Sequence, residues 1–221
     1  MFRPPRAKTP EPGGIPELGK IAANGLLLLY PLLVHAVVVT GSCWLEFAAL
    51  VLLGTNVLGS MLVRAGRWSW IMLVLMVSAS AAFVLLGEAW LFLYAAPVLA
   101  SLALMWFFGR TLLPGQIPLI TRIADAIRGP LPQAVRVYTR RVTELWVAAF
   151  AGFAVADLLL ALWASPVIWS LFTNFVNYLL AGALFVAEWL FRCWYMRDYE
   201  SLTWRKYLVA LIRLDVRRLL A

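Results

Sequence analysis

Six long apolar runs dominate this chain, and each approaches the length of a membrane crossing. They cover residues 21–39, 43–63, 68–86, 89–108, 145–165 and 167–191. A hydrocarbon core of ~30 Å takes about 20 apolar residues in an α-helix. Only helices and closed barrels satisfy their backbone polar groups in lipid. These runs are continuous rather than alternating, which predicts helices and argues against barrel strands. Of the 221 residues, 63% are hydrophobic and 14% charged. A soluble domain is nearer half apolar and a quarter charged, so this chain has more apolar side chain than a soluble fold covers. The expected fold is all-α and polytopic, with six transmembrane helices, both termini cytoplasmic and amphipathic helices on the inner face.

Charge placement turns the runs into a topology. With the N-terminus inside, four cations fall on the N-terminal arm and two, Arg64 and Arg67, between runs two and three. Six fall between runs four and five: Arg110, Arg122, Arg128, Arg136, Arg140 and Arg141. Seven follow run six, from Arg192 to Arg218. All 19 Lys and Arg then share one face, and the outer turns near Gly41, Gly87 and Ser165 hold none. The positive-inside rule puts that face in the cytoplasm. Trp44, Trp68, Trp90, Trp163 and Trp169 stand at run ends, where aromatic belts form. The net charge of +8 thus reads as threading and contact with anionic lipid, not nucleic-acid binding.

The organisation follows. Residues 1–20, with five prolines, read as a flexible cytoplasmic arm rather than a secretory signal. Residues 21–109 hold transmembrane helices one to four, and 110–143 form a basic cytoplasmic connection. Residues 144–191 hold helices five and six, and 192–221 form a basic amphipathic tail. In the connection, Ile117, Ile120, Ile123, Ala124 and Ile127 share one helical face, and Arg122, Asp125 and Arg128 lie opposite. That spacing predicts an amphipathic helix along the inner leaflet, ended by Gly129, Pro130 and Pro132. In the tail, Lys206, Arg213 and Arg217 form a basic stripe facing an apolar arc that Asp215 interrupts. Arg122, Arg140, Arg141, Lys206, Arg213 and Arg217 are the candidate contacts for partners or anionic lipid.

Ionisable groups inside the membrane are expensive and therefore candidates for function. Asp157 lies ~12 Å below the outer end of run five, and Asn174 and Asn177 lie ~10 and ~15 Å below that of run six. Antiparallel neighbours would bring the three to matched depth as a hydrogen-bonded cluster. Such a cluster serves either as a protonatable transport site or as interhelical glue. Ala148, Gly152, Ala156, Ala181, Gly182 and Ala183 favour close helix approach and hence glue. His35 and Glu46 form a second candidate pair near the outer face, too few ligands for a metal. Glu188 and Arg192 suit a helix-end ion pair. Pro31 and Pro97 should kink their helices. Cys43 and Cys193 fall near opposite faces, which excludes a disulfide framework and a cysteine zinc site. No cofactor is expected.

Several segments carry a resemblance: "FGRTL" (108–112), "PLITRIA" (118–124), "YTRRVTELW" (138–146), "LWAS" (162–165) and "EWLFR" (188–192), with "YPLLVH" (30–35) in the first half. They resemble a family of bacterial inner-membrane proteins encoded near aryl-polyene (xanthomonadin-type) biosynthesis genes and often labelled "ketosynthase". The resemblance implies association with a membrane-bound, lipid-like pathway that uses acyl-carrier proteins. The residues argue against the label. A condensing enzyme needs a nucleophilic Cys with His or Asn partners on a soluble fold, and nucleophilic catalysis needs a base within reach. The one His lies in a span, and neither Cys has it nearby in sequence.

The expectation is therefore a non-catalytic inner-membrane accessory or scaffold protein that recruits acidic acyl-carrier proteins, or other membrane subunits, through a basic inner face. The alternatives are a small transporter or flippase for a lipid-like product, and a structural subunit of a larger, pigment-containing membrane complex. A membrane acyl- or glycosyltransferase would need a His, Asp and Glu cluster that the chain lacks.

Overall fold

Continuous apolar sequence folds here into continuous helix. The computed structural model describes residues 29–64 and 66–195, and every described element is helical. The N-terminal arm, the start of the first apolar run and the tail with Lys206, Arg213 and Arg217 lie outside the described residues. The chain divides into two units, residues 1–89 and 90–221.

In the first unit, α1 (Leu29–Thr40) turns at Gly41, whose φ of 62° suits a residue without a Cβ. It leads to α2 (Cys43–Arg64), a 3₁₀ turn at Gly66–Trp68, and α3 (Ser69–Leu85). The short connection makes α2 and α3 neighbours, and Gly54 lets them meet. A Cβ on Gly54 would stand 2.7 Å from Met76 Sδ.

In the second unit, which begins one residue into α4 (Ala89–Gly109), that helix runs on through Pro97 to a 3₁₀ turn at Arg110–Leu112. α5 (Leu119–Arg128) and α6 (Gln133–Trp163) follow. α7 (Pro166–Leu171), a π-helical turn (Phe172–Val176) and α8 (Asn177–Tyr195) complete it. α6 is 31 residues long, about 46 Å at the helical rise. It begins at Gln133, so residues 133–143 belong to one helix with the apolar segment rather than to a separate connection. Its buried stripe is Val135, Thr139, Val142, Thr143, Phe150, Ala154 and Asp157, the spacing of one helix face.

Among the described residues, three helical stretches are long and apolar enough to cross a membrane: Ala89–Leu112, Gln133–Trp163 and Pro166–Trp194. Leu29–Thr40, Cys43–Gly59 and Ser69–Leu85 are shorter apolar helices. In an 18-residue window of each long span, only 11%, 11% and 17% is buried within the chain. Lipid or further protein must cover the rest, because water would leave that apolar surface at about 25 cal/mol per Å² of lost burial.

The α5–α6 corner differs from the expected amphipathic surface helix. Pro118 precedes α5 and offers no side-chain cap. Threonines from elsewhere take the exposed amides instead. Thr111 Oγ1 accepts from Leu119 N at 3.0 Å, and Thr143 Oγ1 from Ile120 N at 3.3 Å. Thr121 and Thr139 hydroxyls meet at 2.7 Å in the buried seam. Asp125, expected on the outward face, turns to the corner. Its carboxylate accepts from Arg136 at 3.1 Å on both oxygens and from the amide of Leu131 at 3.1 Å. α5 thus docks on protein through Leu119, Thr121 and Asp125, not through its isoleucine face alone.

The close helix approach expected at Gly152 and Gly182 is not found. A Cβ at either position would meet nothing within 4 Å.

Candidate functional site

Asp157 reaches the interior because it continues the buried stripe of α6, fourteen residues beyond Thr143. It is fully buried. The chain reverses at Ser165, which caps α7 by accepting from Ile168 N, with Pro166 at the first helical position. The return helix then passes Asp157. Asn177 Nδ2 donates to Asp157 Oδ1 at 2.8 Å, and Thr173 Oγ1 donates to the same oxygen at 3.0 Å. Asp157 Oδ2 and Asn177 Oδ1 are buried and have no hydrogen-bond partner.

Sequence spacing pointed to Asp157, Asn174 and Asn177. The structure brings together Asp157 and Asn177. Asn174 turns back along its own helix, donating to Ser170 O at 3.0 Å and Ser170 Oγ at 3.2 Å. The reason is the π-helical turn, in which Asn177 N bonds Phe172 O five residues back. The changed turn aims Thr173 at Asp157. Sequence reasoning missed both Thr173 and the turn. Short π segments occur often at functional positions. Beside them, Trp169 is fully buried and stacks on Tyr94 of α4, with centroids 3.9 Å apart and planes 6° apart.

A second feature lies at the other end of α6. An apolar groove of about 670 Å³ runs between α6 and α8, with Val137, Leu145, Leu184, Ala187 and Phe191 on its walls and Arg141 at its edge. Its polar corner is closed on itself. Tyr138 OH donates to Glu188 Oε1 at 3.0 Å, and Arg192 Nε lies 3.6 Å from the same oxygen. The volume falls within the range of small-molecule sites. A smaller cleft of about 230 Å³ is walled by Gln116, Thr121, Arg136 and Arg140.

The candidate contact residues divide accordingly. Arg140 stands at the smaller cleft and Arg141 at the groove, with side chains 52% and 78% exposed. Both bind Glu144, at 3.1 and 3.0 Å, which offsets half their charge. Arg122 is half-buried on α5. His35 on α1 and Glu46 in the first turn of α2 are half-buried, and an acid in a first turn suits the positive helix end. Cys43 is exposed and Cys193 half-buried. Among the described residues no three His, Cys, Asp or Glu side chains gather as a metal site.

No family model, curated protein or solved structure matches the chain. The class defined by fold and site is therefore broad: a protein whose described residues are all-helical, with three helices among them able to cross a membrane. Two features set it apart within that class, a buried carboxylate held beside a π turn and a cation-edged groove at the far end of the same helix.

Proposed function

We propose that this protein is a six-span accessory protein of a bacterial inner membrane, with both termini cytoplasmic. It would serve a membrane-associated acyl-lipid or aryl-polyene type pathway by holding acidic partners, such as acyl-carrier proteins, at the inner leaflet. One observation carries the reading. The braced, cation-bearing N-terminal third of α6 adjoins an apolar groove. α6 exceeds the ~30 Å hydrocarbon core by about 16 Å, so residues 133–143 project beyond it. The Asp125–Arg136 link and the threonine seam brace this projection. Arg140 and Arg141 then offer charge to an acidic partner, and the groove offers cover to an acyl chain.

Charge reversal of Arg122, Arg140 and Arg141 together tests the reading. Co-purification with an acidic carrier protein should fall by more than tenfold, because like charges across an interface cost several kcal/mol. Unchanged complex and unchanged product would defeat it. The threading is tested with the native thiols. A membrane-impermeant reagent on intact spheroplasts should label Cys43 and spare Cys193 until the membrane is opened. The reverse pattern would overturn the topology.

A second reading, a small transporter or flippase for a lipid-like product, is favoured by Asp157 and its unpartnered oxygen. Under it, Asp157→Asn stops movement of product to the outer leaflet while synthesis continues.

A further inference from the structure

A buried carboxylate in hydrocarbon needs a compensating positive charge or a proton, since burying it bare is far too costly. Among the described residues, no cation bonds to Asp157. Its hydrogen bonds come from two neutral groups, Asn177 and Thr173. The ion pairs of the described residues join other carboxylates. Arg141 is sixteen residues away on the same helix, about 24 Å at the helical rise. Arg192 is fifteen residues from Asn177 on α8, about 22 Å by the same measure. Tyr178, next to Asn177, lies within electrostatic reach of Asp157. Tyr94 of α4 reaches the region through its stack on Trp169. Neither tyrosine supplies a positive charge.

What the site does supply is acceptor oxygen. Asp157 Oδ2 and Asn177 Oδ1 are both buried and both unpartnered. A water molecule would satisfy such oxygens but leave the charge. Only a cation satisfies both. The π turn adds a further reason, since irregular helix at membrane depth exposes backbone carbonyls that coordinate Na⁺ or H⁺ in membrane transporters.

We propose that Asp157 and Asn177, beside the π turn, form a monovalent-cation site that takes a proton or Na⁺ from outside the fold. As a proton site, Oδ2 carries the hydrogen and Asn177 Oδ1 accepts it. As a sodium site, both oxygens ligate the ion. The site lies about 24 Å along α6 from Arg141, and it can be tested without a partner.

The full chain, purified in a neutral detergent, is examined in two ways. Infrared spectroscopy with ¹³C-labelled aspartate looks for a protonated-acid carbonyl band at neutral pH. Thermal unfolding is followed while NaCl replaces choline chloride at constant ionic strength. An acid band that is lost in Asp157→Asn and shifted in Asp157→Glu identifies the proton form. A melting temperature that rises with Na⁺ in the wild type, but not in Asp157→Asn, identifies the sodium form. Asn177→Ala should then weaken the Na⁺ midpoint about tenfold, the effect of one lost ligand contact. A wild-type protein with no acid band and no Na⁺-dependent melting overturns the proposal. Both wild-type measurements stand even if Asp157→Asn fails to fold.

Discussion

Replacing Asp125 tests which force holds the α5–α6 corner. Its carboxylate does two jobs, accepting from the Leu131 amide and from Arg136. Leu131 is only 8% exposed, so an unpaired amide there would cost about 1–3 kcal/mol. The Arg136 link is half in solvent, with side chains 39% and 24% exposed, so it contributes no more than about 1 kcal/mol. Asp125→Ala removes both and should cost about 2–3 kcal/mol. Asp125→Asn keeps an acceptor for Leu131 and loses only the charge, so it should cost about 1 kcal/mol or less. Hydrogen exchange at residues 129–133, read by mass spectrometry in detergent, reports the local opening. The Ala variant should exchange roughly 30-fold faster or more, and the Asn variant about fivefold, since 1.4 kcal/mol is a factor of ten. Salt should slow neither variant's exchange but should narrow the gap between wild type and Asn, because it screens the ion pair. Equal acceleration by Ala and Asn would show that the ion pair holds the corner, and the reasoning would be wrong.

Four further outcomes are expected. Thr139→Val should destabilise more than Thr121→Val, by about 1 kcal/mol, because it leaves the Thr121 hydroxyl without a partner while Thr139 keeps Val135 O; the double variant should cost less than the sum, measured by thermal unfolding. Gly54→Val should cost about 1–3 kcal/mol by overpacking against Met76, and Met76→Ala should relieve part of it. Ala187→Trp should fill the α6–α8 groove and abolish labelling by a photoactivatable acyl-chain lipid, while Arg192 and Glu188 stay paired. Glu144→Gln should strengthen recruitment of an acidic carrier protein several-fold, measured at low salt, because it releases the charge of Arg140 and Arg141.

Helical character was legible wherever apolar sequence ran long. The depth match of Asp157 with Asn177 follows from counting residues inward from the outer ends of runs five and six. The errors share one cause. Hydropathy ranks residues by burial but is silent about which polar group meets which. Asp125 looked outward because carboxylates usually face water, yet Leu131 and Arg136, six and eleven residues on, gave it better bonds. Nothing in the spacing of Thr121, Thr139 and Thr143 marks them, although the Thr143 hydroxyl caps α5 and the other two meet in its seam. Gly152 and Gly182 carried a packing expectation by size, and size does not choose a neighbour. The π turn left no apolar signature, so Thr173 took the place expected of Asn174.

That turn also has a consequence for how the chain tolerates change in length. An α-helix advances 100° per residue, so a π turn acts as one surplus residue spliced into the return helix. Removing any one residue from Phe172–Val176 should let α7 and α8 fuse into a single regular rod. The rod would be no less apolar, and a membrane would accept it as readily. α8 would keep its bearing on Trp169, because the deletion removes the surplus residue and not one from a regular turn; what would change is the local turn that aims Thr173 at Asp157. A one-residue deletion would thus be absorbed within this five-residue stretch, whereas the same deletion elsewhere in α8 would swing everything beyond it by about 100°.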